Sequence, residues 1–255
     1  MKALVTGASS GIGYDMSCYL ASKNIDLIVV ARRKDRLESI KEKYPNVSIR
    51  VIEMDLSEYK NLSSLVEKVK DEDIDILINN AGFGLFGTFD KTDIDTEMKM
   101  IDVNIRAVHY LTKVFLKQFI KKDRGYILNV ASSAGFMAGP KLSTYYATKN
   151  YCLRISQAIY QELKEMNSKV HISVLCPGPV DTEFNTVAHG EFKTKAATSE
   201  YVAKYAIDQM FKNKLIIIPT IKMKLAIFFI RFVPTKLLLG ITSSIQERKI
   251  NNKSK

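Results

Sequence analysis

A doubly wound parallel sheet with helices on both faces is the fold class this sequence predicts, and three observations predict it. Short runs of Val, Ile and Leu alternate with stretches of helical spacing from the first residues to about 218. The runs are rich in apolar residues, as in strands covered on both faces. Glycine, proline and polar side chains collect just after the runs, at the carboxyl edge where open α/β sheets take their ligands.

In chain order, the strand runs lie at 3–6, 26–31, 48–54, 74–79, 125–131, 171–175 and 215–218. Helical spacing is seen at 12–22, 35–44, 60–70, 96–120 and 145–166. The chain of 255 residues suits one large domain, with a catalytic body at 1–218 and a basic, apolar helical extension at 219–255. Cys18, Cys152 and Cys176 show no metal-ligand spacing; they read as small packing residues in a reducing compartment, and no metal is expected. No charged region followed by an apolar one opens the sequence, so a cytoplasmic location is expected. The net charge is +11. From Lys212 onward ten Lys or Arg stand against one acid, Glu247, so that segment carries +9 and residues 1–211 only +2. A nearly neutral body argues against nucleic-acid binding.

The first strand ends in TGASSGIG at 6–13, where Gly7, Ser9, Ser10, Gly11, Ile12 and Gly13 lead into a helix. Glycines let backbone approach an anion, and the helix start offers unpaired N–H groups to a pyrophosphate. The spacing departs from the commoner GxGxxG fingerprint, and no Lys-Ser or Lys-Thr makes it a triphosphate loop. The second strand ends Ala31-Arg32-Arg33 without the carboxylate that NAD sites usually place there. Cations at a helix N-terminus oppose its dipole, so the 2′-phosphate of NADP is an attractive partner, with Arg32 ahead of Arg33; the alternative is a solvated charge run. After the third strand, Asp55-Leu56 offers a carboxylate either to an adenine amino group or to the following helix as a cap. Small residues in Asn79-Asn80-Ala81-Gly82 suit a backbone passing close to a cofactor.

Tyr145 and Lys149 stand four apart on one helix face, with Ser132 thirteen residues before the tyrosine. A free phenol, with a pKa near ~10, is a poor acid or base at neutral pH. A neighbouring ammonium favours the phenolate and brings it toward working range, while Ser132 is placed to hold the same substrate oxygen. Asn104, a mediocre helix former, interrupts a helical pattern. Two prolines and a glycine in Pro177-Gly178-Pro179-Val180-Asp181-Thr182 force an irregular loop after strand six.

Together these pieces resemble the short-chain dehydrogenase/reductase family, in the order and spacing of its single-domain type, over about residues 2–218. The resemblance implies a Rossmann-like fold and hydride transfer with a nicotinamide cofactor. It implies Tyr145 as acid/base, Ser132 on the carbonyl oxygen, Lys149 on the nicotinamide ribose and Asn104 holding a relay water. Thr182 would contact the carboxamide, within a cofactor set that includes Asn80, Ala81, Gly82, Pro177, Gly178 and Val180. Tyr146 neighbours Tyr145, but the family spacing selects Tyr145 and leaves Tyr146 and Ser133 as packing residues. NADP-using members often carry a basic residue where this chain has Ser10, so NADP(H) preference rests on Arg32 and Arg33, with NAD(H) possible. The intact set Asn104, Ser132, Tyr145 and Lys149 argues for an enzyme over an idle dinucleotide sensor or a lipid-surface scaffold.

Pocket borders are expected at 83–86, 136–138 and a lid at 183–198 that includes His189; their apolar character favours a hydrophobic carbonyl or alcohol. Ile221 to Ile241 is apolar but interrupted by Lys222, Lys224, Arg231, Pro234 and Lys236, which argues against a membrane span. Packing on the sheet edge or a partner subunit is the preferred expectation, with peripheral contact to an anionic membrane the alternative. A homo-oligomer is expected.

Overall fold

The computed structural model describes residues 1–184 and 196–251. Six parallel strands come first: β1 (Lys2–Thr6), β2 (Asp26–Ala31), β3 (Ile49–Glu53), β4 (Ile76–Asn79), β5 (Gly125–Val130) and β6 (Val170–Leu175). A side pair, β7 (Val180–Asp181) and β8 (Ala197–Thr198), follows, and β9 (Ile216–Ile217) completes the main sheet in the order β3-β2-β1-β4-β5-β6-β9. The order reverses between β1 and β4, and such a reversal opens a crevice at the strands' carboxyl ends.

Register assigns side chains to the two faces. Leu4 lies opposite Ile28 and Leu77, and all three join one core cluster; Val5 lies opposite Val29 and Ile78, which join the other. Onto the Val5 face pack α1 (Gly11–Ser22) through Met16 and Leu20, and α2 (Lys34–Lys43) through Leu37 and Ile40. The opposite face takes α3 (Tyr59–Lys68) through Leu62 and Leu65. Burial of each such side chain contributes ~1.5–3 kcal/mol.

The expected helix at 96–120 is divided in the structure. An α-helix, α4 (Ile94–Ile101), runs into a π-helical turn at Asp102–Ala107 and continues as α5 (Val108–Lys122). A π turn carries one more residue per hydrogen-bonded ring than an α turn, a distortion common at functional sites. Here it contains Asn104, buried and bonded to the loop after β4. The long α6 (Ser143–Glu165) and α5 cover the Leu4 face, and α7 (Ser199–Met210) packs beside α1 on the other.

The apolar tail forms two helices, α8 (Ile221–Ile230) and α9 (Thr235–Asn251), with Pro234 between them. Packing describes only one face of this pair. Among their described side chains Ile227, Thr242 and Gln246 are buried, while Phe228, Phe229 and Leu237 stand exposed. No helix among the described residues is long and apolar enough to cross a membrane.

Candidate active site

At the carboxyl edge of the sheet lies a cavity of about 580 Å³. Its wall includes most of the catalytic and cofactor residues expected from the sequence: Gly7 and Ser9–Ile12, Arg32, Arg33, Asp55, Leu56, Asn80–Gly82, Ser132, Tyr145, Lys149, Pro177, Gly178, Val180 and Thr182; of the expected substrate borders at 83–86 and 136–138, only Phe83 lines it. Gly13 and Asn104 stand behind the wall.

The β1–α1 loop is shaped for backbone approach. Gly7 has φ +64°, and a Cβ there would lie 2.7 Å from the Cα of Ala81. At Gly13 a Cβ would meet the Asn80 amide at 2.2 Å and the Gly7 carbonyl at 2.4 Å. Asn80 fastens this loop: its Nδ2 donates to the carbonyls of Thr6 and Gly7, both at 3.1 Å. Its side chain therefore supports the cradle, leaving cofactor contact to neighbouring backbone. The Ser10 side chain does not cap α1, and no acid sits in the helix's first turn. The N–H groups and positive dipole end are thus left for an anion.

Arg32 and Arg33 differ in their commitments. Arg33 pairs with Glu183 at 2.8 Å and reaches Ser9 Oγ at 3.4 Å. Arg32 has no ion-pair partner among the described residues. No acid ends β2; Asp26 sits at its opposite end, accepting from the Ser48 N–H at 3.1 Å. Asp55 accepts from both the backbone N–H and the hydroxyl of Ser57 through Oδ1, at 2.9 Å each, so it caps a turn before α3.

The expected catalytic residues meet on the same edge of the sheet. β5 delivers Ser132, which begins a 3₁₀ turn (Ser133–Phe136) and accepts from the Ala134 N–H at 3.1 Å. Ser132 and Tyr145 both line the cavity, and the serine hydroxyl lies near enough to the phenol to lower its pKa. One turn along α6, Lys149 is buried and donates to the Val130 carbonyl at 2.9 Å. Its Nζ stands 5.8 Å from the Tyr145 ring centre. The Asn104 amide donates to the Phe83 carbonyl (2.9 Å) and the Thr148 hydroxyl (3.0 Å), while its oxygen accepts from the Phe83 N–H (3.1 Å). Thr148 in turn donates to the Tyr145 carbonyl at 2.7 Å, so Asn104 ties the loop after β4 to the helix carrying the tyrosine.

One electrostatic expectation is corrected. Tyr145 keeps some surface toward the cavity, yet desolvation pushes its phenol well above the ordinary value, with Ser132 only partly opposing. Desolvation likewise holds Lys149 below the usual lysine range. Burial thus outweighs the ammonium at this separation, and Lys149 alone does not bring the phenol into working range.

The sequence reading missed Gln246. From α9 it lines the cavity and donates to the Tyr146 hydroxyl at 2.6 Å. Leu142 and Val103 also line the wall unforeseen. No motif marks these positions. The expected lid at 183–198 is described only at its ends: the Phe184 ring lies 5.2 Å from that of Tyr145 and tilted against it, and His189 lies outside the described residues.

Comparison with known proteins decides the family. The family model for short chain dehydrogenases matches residues 1–191. The chain belongs to the short-chain dehydrogenase family. It is an NAD(P)-dependent oxidoreductase acting between alcohol and carbonyl groups. An NADP-dependent 3-hydroxy acid dehydrogenase of Schizosaccharomyces pombe is 36% identical over 202 residues, 76% of each chain. An uncharacterized oxidoreductase of Staphylococcus saprophyticus is 33% identical over 214 residues, 83% of each chain. Among solved structures, a short-chain dehydrogenase from Sphingobium yanoikuyae in complex with NADPH aligns with TM-score 0.80 at 27% identity, covering 86% of this chain and 88% of that one. A bulky-bulky ketone specific alcohol dehydrogenase from Comamonas testosteroni aligns with TM-score 0.77 at 28% identity, covering 90% and 91%.

Proposed function

We propose that this dehydrogenase reduces a hydrophobic ketone or aldehyde with NADPH, with Tyr145 supplying the proton. Ser132 and Tyr145 together on the cavity wall, with buried Lys149 one helical turn along from the tyrosine, carry the reading. A bound nicotinamide dinucleotide supplies the hydride. The residues present fit it: a glycine cradle, an uncapped helix start, and Arg32 where a 2′-phosphate would lie. Lys149 would hold the nicotinamide ribose and Thr182 the carboxamide. Ser132 donates to the substrate oxygen, and Tyr145 releases its proton there.

Protonated Tyr145 is the form that donates to a carbonyl oxygen in reduction, and its phenolate is the form that accepts the alcohol proton in the reverse reaction. Asn104 has both amide hydrogens engaged, so a relay water would donate to an oxygen of Asn104 instead of accepting from its NH₂.

Substrate class is argued from the wall, which Phe83, Leu142, Tyr146 and Phe184 line together with Tyr145. The relative named for NADP and the neighbour named for bulky ketones agree with this reading. Three buried cysteine thiols suit a reducing cytoplasm, and the proposal is of a homo-oligomer there whose tail contacts a membrane surface. NADPH oxidation against a carbonyl panel tests the chemistry. Tyr145→Phe is expected to lower kcat by about 10²–10⁴ with dinucleotide affinity retained; unchanged turnover would reject the mechanism.

A further inference from the structure

The outer face of α8 and α9 gathers large apolar side chains in solvent. Ile221, Leu225, Phe228, Phe229, Phe232 and Leu237 are each more than half exposed, from 52% to 73%. Three of them form one aromatic cluster: Phe228 meets Phe229 and Phe232 edge to face, at 5.4 and 5.6 Å. Between Asp208 and Glu247 the sequence has no acid, and Lys222, Arg231 and Lys236 are interspersed with the apolar side chains. Glu247 is itself paired with Lys141. A contiguous exposed apolar patch of this kind marks an interaction surface.

We infer that this face docks on an anionic membrane surface, lying in the interface with its aromatic cluster among the acyl chains. Three observations choose this occupant. The first is charge: a cationic, acid-free segment complements anionic headgroups, each basic group adding attraction near the surface. A second copy of this chain would place the same cationic segment against itself across a two-fold axis, where like charges meet. The second is length. At 1.5 Å per residue the ten residues of α8 span about 15 Å, half the hydrocarbon core, so the helix fits the interface and not a crossing. The third is the opposite side of the same helices. Met223 of α8 lies over Gly178, and Gln246 of α9 forms part of the cavity wall. The docked helices would thus back the catalytic cavity directly, which suits a carbonyl substrate dissolved in lipid. That last clause rests on the reductase reading; the docking does not.

The test uses the full chain without dinucleotide or substrate, so its outcome is independent of catalysis. Flotation with vesicles of phosphatidylcholine alone, and of phosphatidylcholine with phosphatidylglycerol, measures docking. Wild type is expected to float with the anionic vesicles in a salt-sensitive manner and weakly with the neutral ones. Phe228→Ser/Phe229→Ser/Phe232→Ser should weaken anionic-vesicle binding about tenfold or more while leaving the lipid-free Tm unchanged. Lys222→Glu/Arg231→Glu/Lys236→Glu should weaken it to a similar degree and remove the salt dependence. Folded wild type that stays below the anionic vesicles would overturn the inference. A vesicle-free dimer dissolved by the triple serine variant would also overturn it, assigning the face to contact between copies.

Discussion

Phe115 and Phe229 are the same residue in two regions that treat hydrophobicity in opposite ways. In the body, Phe115 on α5 is 1% exposed and packs beneath the sheet with Phe119. In the tail, Phe229 on α8 is 60% exposed, although α8 is apolar along most of its length. A helix apolar all round ordinarily signals burial. Here only Ile227 in α8 is buried. The body spends its apolar residues on a core that water leaves; the tail holds them outside, where they do nothing for the fold of an isolated chain. Composition alone cannot tell the two uses apart, whereas exposure does.

The contrast breaks most sharply by truncation at matched residues. Phe115→Ala is expected to destabilise by about 3–5 kcal/mol through lost burial and the cavity it leaves. Phe229→Ala should stay within about 0.5 kcal/mol, as substitutions outside a core do. Chemical denaturation of both variants in the absence of lipid checks this. Equal losses would mean that α8 is packed against something in solution.

Within the body, the two adjacent arginines sharpen the comparison at smaller scale. Arg32 is uncommitted among the described residues, and Arg33 is held by Glu183. Arg32→Asp is expected to shift the NADPH-to-NADH preference by about 10- to 150-fold, the worth of a charge-assisted hydrogen bond. Arg33→Asp should shift it less. Kinetics with both cofactors decide, and a larger effect at Arg33 would reverse the assignment.

Lys149 gives a pH test of the same site. Its folded pKa is lowered by burial, so between that value and about 10.4 the unfolded chain binds more protons than the folded one. Stability conferred on wild type relative to Lys149→Met therefore rises with pH through that window, and the burial penalty is full below it. Each kcal/mol moves Tm by about 2–4 °C in a chain near this size, so the two Tm curves should converge or cross as pH climbs. Parallel curves would show that Lys149 titrates alike in both states.

The sequence revealed what depends on local rules. Val, Ile and Leu runs located all seven strands of the main sheet to within about two residues, because strands buried on both faces have no other composition open to them. The strand-end motifs were legible for a related reason: glycine is required where Ala81 or Asn80 would strike a Cβ. What could not be read depends on which distant segments meet. The π turn at Asn104 arises from a pairing with Phe83, twenty-one residues earlier. The raised phenol of Tyr145 reflects desolvation by the assembled cavity, which outweighs the lysine that sequence spacing brings near. Gln246 joins Tyr146 across one hundred residues, and nothing local to either announces it.

That last pair also marks where body and tail are joined, and it supports the smallest of the predicted effects. Gln246 and Ile245 are neighbours on α9, yet Gln246 is 1% exposed and Ile245 47%. Burial raises the Tyr146 phenol and the Gln246 amide partly offsets this, so the bond holds a half-buried group in place. The Tyr146 ring stands 6.3 Å from that of Tyr145, nearly perpendicular to it. Gln246→Leu removes the donor and leaves the hydroxyl unpaired, at about 0.5–1.5 kcal/mol. Substrate KM is then expected to rise about two- to tenfold, with kcat and dinucleotide affinity retained, because Tyr146 shapes the substrate wall and not the cradle. Ile245→Ser should leave KM and Tm unchanged in the absence of lipid. If both substitutions raise KM equally, α9 acts on the cavity as a whole helix. If neither does, the tail is joined to the body without shaping its substrate wall.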